Sequence, residues 1–193
     1  MPESCGHFDM KRKRIQTISS VLIFLMMVST FHAETKSRKA PSEHDVQAAY
    51  LFNFLRFIRW PETTFPDSLE PVIIGIVGES PIVNRLEKLA EKQSLYTRPL
   101  RIRYFKKIDD IYDCHVLYIG SMEKRYQISI LNKLDKSSTL TLSDSSNFCD
   151  IGGMINFILI DDRVAFRVNL KALKKANLDI SAKILRLAAS IIQ

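Results

Sequence analysis

Three short apolar runs constrain the fold of this chain more than any other feature. Val72 to Val77, Val116 to Ile119 and Thr139 to Leu142 are rich in branched aliphatics and bounded by polar turns. Near-continuous apolar runs of this length suit strands covered above and below, the situation of a parallel sheet. Segments of helical period lie between them. Pro81 to Lys92 puts Ile82, Leu86 and Leu89 on one stripe and has a proline fit for a first helical position. Glu123 to Leu134 is a second such segment. Leu100 to Phe105 alternates, with Ile102 and Tyr104 on one side and Arg101 and Arg103 on the other. After a polar loop at 143–153, Met154–Ile160 and Val164–Leu170 flank Asp161-Asp162 as a hairpin. Lys171 to Ala176 reads as a short helix, and Ser181 caps a last one with Ile184, Leu185, Ala188 and Ile191 inward. The order predicts an α/β, three-layer fold: a mostly parallel sheet with helices on both faces and an antiparallel C-terminal hairpin.

The first 33 residues read differently. Lys11, Arg12, Lys13 and Arg14 precede an apolar stretch whose unbroken core, Val21 to Val28, is far too short to span a bilayer. With Ala33 ahead of polar residues, this is the pattern of a secretory signal, although Phe31 stands where a small residue is preferred. Residues 34–43 form a flexible leader, and 44–193 a single domain. Losing residues 1–33 removes four basic and two acidic residues, so the formal charge falls from +7 to +5. That excess favours acidic surfaces. It carries no basic stripe with interleaved aromatics, so nucleic acid is not an expected partner.

A helix from Ser42 or Asp45 to about Ile58 opens the domain and stops at Trp60-Pro61. Its periodicity groups Val46, Tyr50, Leu51, Phe54, Phe57 and Ile58 on one face and Asp45, Ala49, Arg56 and Arg59 on the other. Phe52 falls between Arg56 and Arg59 on the polar side. An aromatic flanked by arginines resembles the anchors that dominate interfaces, so Phe52, Arg56, Arg59 and Trp60 are the candidate partner contacts. The competing reading is that Phe52 packs beneath another element or in a homodimer.

Chemistry is sparse. No glycine-rich phosphate loop follows the first apolar run, no nucleophile elbow occurs, and Asp144, Asp150, Asp161 and Asp162 lack the spacing of a calcium loop. No catalytic residue, metal site or cofactor is expected. His44 opens a helix, and His115 opens a buried strand. Cys114 and His115 are adjacent on that strand and point to opposite faces, against joint ligation. Cys114 precedes one strand and Cys149 follows the next, so a sheet length of about 13–17 Å separates them. A disulfide needs Cα atoms within about 7 Å. Unless the 143–153 loop folds back over the sheet, both thiols are free or bridge between molecules.

Taken in order, Ala48-Ala49-Tyr50-Leu51-Phe52-Asn53-Phe54 through Trp60-Pro61, Ile74-Gly75-Ile76-Val77-Gly78 with Pro81, Cys114-His115-Val116-Leu117-Tyr118-Ile119, Phe148 to Phe157, Phe166 to Leu170 and Ser181 to Leu185 resemble the YfiR family of periplasmic regulators. The resemblance covers nearly all of residues 44–190. It implies an exported, often dimeric, non-enzymatic α/β protein that binds the periplasmic domain of a membrane-anchored diguanylate cyclase. Such binding represses cyclic di-GMP synthesis, and its release favours biofilm. It also implies that Cys114 and Cys149 match cysteines that some relatives place in two disulfides. The partners are missing here, since neither residues 72–77 nor Met154 to Phe157 hold a cysteine. Two further readings remain open. One is a small-ligand module lined by Gly78 to Ser80 and the 143–153 loop, or an accessory protein of an outer-membrane receptor. The other is an exported enzyme, which requires an unusually reactive Cys149.

Overall fold

The computed structural model describes residues 40–65, 67 and 70–193, so the secretory segment predicted at the N-terminus lies outside them. The domain opens with α1 (Glu43–Phe57). Ser42 and Asp45 close a reciprocal capping box at its amino end, satisfying two backbone donors that the helix itself cannot. Then follow β1 (Ile58–Arg59), β2 (Val72–Val77), α2 (Val83–Lys92), β3 (Ser94–Leu95), β4 (Arg98–Phe105), β5 (Val116–Ile119), α3 (Lys124–Lys133) and β6 (Leu140–Ser143). The chain finishes with β7 (Ile155–Ile160), β8 (Arg163–Asn169), α4 (Leu170–Lys175), β9 (Asp179–Ile180), α5 (Ala182–Leu185) and β10 (Ser190–Ile192).

Eight strands form one sheet in the order β10-β8-β7-β6-β5-β2-β4-β3, and β1 pairs with β9 in a separate ribbon. The five central strands are parallel, while β7 and β8 form the antiparallel hairpin. Asp161 and Asp162 both sit at positive φ in its turn, the geometry that matches the twist of two-residue hairpins. Side chains alternate across the sheet into two cores. Val72, Ile74, Ile76, Val116, Tyr118, Leu140, Leu142, Ile155 and Phe157 face α1, α2 and α4. Ile73, Val77, Leu117 and Ile119 face Ile130 of α3 and Phe148 of the long loop. Each fully buried aliphatic or aromatic side chain contributes roughly 1.5–3 kcal/mol, so the two-sided covering read from the apolar runs is the main source of stability.

One expectation fails here. The final helix stops after four residues at Leu185, and Ser190–Ile192 runs as β10 beside Arg167–Asn169. The outer edge of β8 presents unpaired backbone groups, and the chain end satisfies them. Helical periodicity in 182–191 competes with that demand and loses; Ile191 is left half-exposed.

The sheet is also closed where its winding reverses. Relative to β2, the chain first adds β4 on one side and then β5 on the other, so the reversal lies between the carboxyl ends of β2 and β5. There Gly120 N–H donates to Val77 O at 2.8 Å and Ser121 N–H to Glu79 O at 2.9 Å. A Cβ at Gly120 would stand 2.4 Å from Glu79 O, a backbone atom that cannot step aside. Gly120→Ala should therefore lower stability by about 1–3 kcal/mol, read as a fall in the urea midpoint at unchanged slope.

Candidate partner-binding surface

The buried arc of α1 is Gln47, Ala48, Leu51, Phe52, Phe54 and Leu55, continued by Ile58. It lies about a quarter turn from the stripe that the aromatic residues suggest. Tyr50 and Phe57 sit on its rim, and Ala48, fully buried, marks a close approach. Phe52 is thus a core residue, 9% exposed, and the exposed position assigned to it is corrected. The cause is tertiary: α1 touches α2, β8 and α5, and so buries a wider arc than one amphipathic stripe needs.

The other candidates do gather at the carboxyl end of α1. Arg56 and Arg59 are exposed and Trp60 is half-buried. Ile58 and Arg59 pair with Ile180 and Asp179, and Ser181 N–H donates to Phe57 O at 3.0 Å, so the helix end is fixed to the β9 turn. Arg59 forms an ion pair with Asp179. Both groups are exposed, so the pair adds little stability and leaves the arginine available. Trp60 stands edge-on to Phe65 at 5.9 Å. Its indole N–H is buried with no acceptor among the described residues.

Phe65 is the residue that periodicity could not find, because it sits in an irregular loop with no alternation to betray it. Its ring stacks on His115 at 4.6 Å and 3°, and the Arg98 guanidinium lies 4.6 Å over its centroid. His115 Nδ1 accepts the Ile73 N–H at 3.0 Å, tying β5 to β2. Burial lowers the pKa of His115, consistent with a neutral, structural imidazole. Beside it, a cavity of about 460 Å³ at the amino ends of the strands is lined by Arg101, Arg103, Asp113, Cys114 and Ser138. Arg103 is already committed to the carbonyls of Tyr112 and Asp113, both at 3.3 Å.

Both cysteines are buried and free in the structure. The long loop does fold back over the sheet, which shortens the lengthwise separation expected from sequence. Cys149 Sγ donates to Met154 O and Arg167 O, each at 3.6 Å, beside β7 and β8. Cys114 stands by Gly75 of β2, its Sγ 3.3 Å from where a Cβ would be. The two are therefore kept apart across the sheet, where β5 and β7 alone lie about 10 Å from one another. Burial pushes the Cys114 thiol up to about 11 and the Cys149 thiol up to about 12, the reverse of an activated nucleophile. Asp150 is held by Arg167 through two hydrogen bonds of 2.8 and 2.9 Å. Among the described residues no cluster of histidine, cysteine or carboxylates could hold a metal ion, and no helix is long and apolar enough to cross a membrane.

A family model described as YfiR/HmsC-like matches residues 44–189. Among solved structures, the chain is similar to a conserved domain protein from Vibrio cholerae, with a TM-score of 0.53 at 11% identity over 78% of this chain and 60% of that one. It is also similar to an ABC domain in complex with L-Trp from Streptococcus pneumonia, with a TM-score of 0.49 at 11% identity over 63% and 55%. The chain thus spans less than two thirds of either structure. The first likeness concerns the α/β fold alone.

The burial of His115 has a measurable consequence. Its folded-state pKa lies below the ordinary 6.5, so the unfolded chain binds the proton better, and stability falls as pH drops through that value. The slope stays under about 1.4 kcal/mol per pH unit, the limit for one proton. Urea midpoints between pH 7.5 and 5.5 should show this loss. His115→Asn, which keeps an acceptor for Ile73 N–H, should be less stable at pH 7.5 but show a flatter profile.

Proposed function

The chain belongs to the YfiR/HmsC-like family, and from that premise we propose that it is a non-catalytic periplasmic regulator that binds the periplasmic domain of a membrane-anchored diguanylate cyclase and represses cyclic di-GMP synthesis. The observation that carries the reading is the match over residues 44–189, almost the whole described domain. Two features of the site support it. The loops after β2 and β5, where doubly wound α/β proteins usually receive ligands, are bridged by backbone hydrogen bonds between Val77–Glu79 and Gly120–Ser121. Neither thiol has the depressed pKa that covalent chemistry would need.

A regulator of this kind works by contacting one state of its receptor better than another. On this reading the contact lies at the carboxyl end of α1, where Arg56 and Arg59 are exposed beside the half-buried Trp60. The two guanidiniums suit an acidic patch on the partner and can speed encounter as well as hold it. Phe52 supports them from below rather than touching the partner.

The test uses the purified protein and the periplasmic domain of a membrane cyclase encoded beside it. Reversing both charges, Arg56→Glu with Arg59→Glu, should weaken association at least tenfold, about 1.4 kcal/mol, at an unchanged melting temperature. In cells the same pair should raise cyclic di-GMP. Undiminished association by the double variant would remove this surface from the reading, and absence of any association would remove the cyclase. Phe52→Ser should instead cost about 3 kcal/mol or more of stability, since it leaves a cavity in the core.

A further inference from the structure

At the opposite end of α1 lies a groove of about 340 Å³, formed by Glu43 and Gln47 of the helix, Asp144 and Ser146 of the loop after β6, and Ile158 and Leu159 of β7. Its polar content is one-sided. Glu43 and Asp144 bring carboxylates into a chain that is otherwise basic. Gln47 is 2% exposed, and its Nε2 donates to Glu43 Oε1 at 3.0 Å. That bond fixes the amide, because the flipped orientation would aim an oxygen at a carboxylate. Gln47 Oε1 is then a buried acceptor with no donor among the described residues. Such an atom is costly in the isolated protein, and a partner carrying a donor would satisfy it.

The rim asks for cover as well. Leu159 is 54% exposed. Beyond Asn156 and Arg167 the β7–β8 hairpin is paired only with itself among the described strands. A small molecule filling the groove would leave most of this apolar tip in water.

We propose that this groove docks a protein segment presenting an arginine or lysine beside an apolar residue, the cationic head reaching Glu43, Asp144 and Gln47 Oε1 while the apolar neighbour covers Leu159. The long apolar stem of a basic residue suits the wall of Ile158 and Leu159, and its head the three acceptors below. The inference stands apart from the reading of Arg56 and Arg59, which lie at the other end of the helix, and it needs no particular receptor.

The probe is the peptide acetyl-Ala-Leu-Arg-Leu-Ala-amide, with a version carrying Glu in place of Arg and with agmatine as controls. Added to the purified, nitrogen-15-labelled protein, the Arg peptide should shift the amide resonances of Glu43, Gln47, Asp144 and Leu159, and the Glu peptide should not. Gln47→Leu should weaken binding at least tenfold while keeping or raising the melting temperature, because it removes an acceptor that no donor among the described residues meets. Asp144→Asn should weaken binding at least threefold. Equal shifts from the Glu peptide, no shifts at the groove, or unchanged affinity in either variant would overturn the proposal. A Gln47→Leu protein that melts several degrees lower or fails to fold would overturn it too, by making Gln47 structural. Agmatine binding as tightly as the peptide would overturn the choice of a protein segment.

Discussion

The long loop between β6 and β7 is held in place by one buried amide, that of Asn156. Its Oδ1 accepts the Phe148 N–H at 3.2 Å, and its Nδ2 donates to Ser143 O and Ser145 O at 3.2 and 2.9 Å. Those bonds pin both limbs of the loop between β6 and β7 to the second strand. Once pinned, the loop delivers Phe148 into the core under α3, sets Cys149 against β8, and leaves Asp144 and Ser146 facing α1. A side chain that meets its partners fully in a dry interior fixes geometry more firmly than an apolar one of equal size. The loop is therefore part of the sheet's covering layer, not a surface appendage.

That covering decides what the protein can do. Doubly wound folds usually work at the carboxyl ends of their strands, in the gap left where the winding reverses. Here the gap is stitched by Gly120 and Ser121, and glycine is needed because Glu79 O leaves no room for a Cβ. Two surfaces proposed for recognition are the two ends of one helix. One end is basic, with Arg56 and Arg59; the other is acidic, with Glu43 and Asp144 near the buried Gln47. An architecture often used to enclose ligands has been turned outward.

Much of this was readable before any coordinate. The central strands announce themselves because burial on both faces leaves no room for polar residues, as in Val116–Ile119. The capping box at Ser42 and Asp45 and the Asp161-Asp162 turn are local chemistry, and local chemistry is visible in sequence. What stayed hidden is relational. Phe52 looks outward on a helical wheel, and only a neighbouring element tells that its side is covered. Ser190–Ile192 becomes a strand because β8 has an edge to fill, a fact recorded nowhere in those residues. The Phe65–His115 stack joins a loop to a strand 50 residues away, and no periodicity carries such a message. The same holds for the candidate surface: its arginines are legible, but of the two readings open for Phe52 only the burial of its side by a neighbouring element selects the packed one.

The two border strands are much shorter than the strands they flank: β3 spans Ser94–Leu95 and β10 spans Ser190–Ile192. They cover only the first residues of β4 and the last of β8, so residues 100–105 and 163–165 keep one side without a strand partner among the described residues. A sheet grows by offering a neighbour such unpaired amides and carbonyls, and charges set along them discourage the joining. Arg101, Arg103 and Arg163 stand on these open stretches, so two copies of this chain that meet edge to edge bring like charges together.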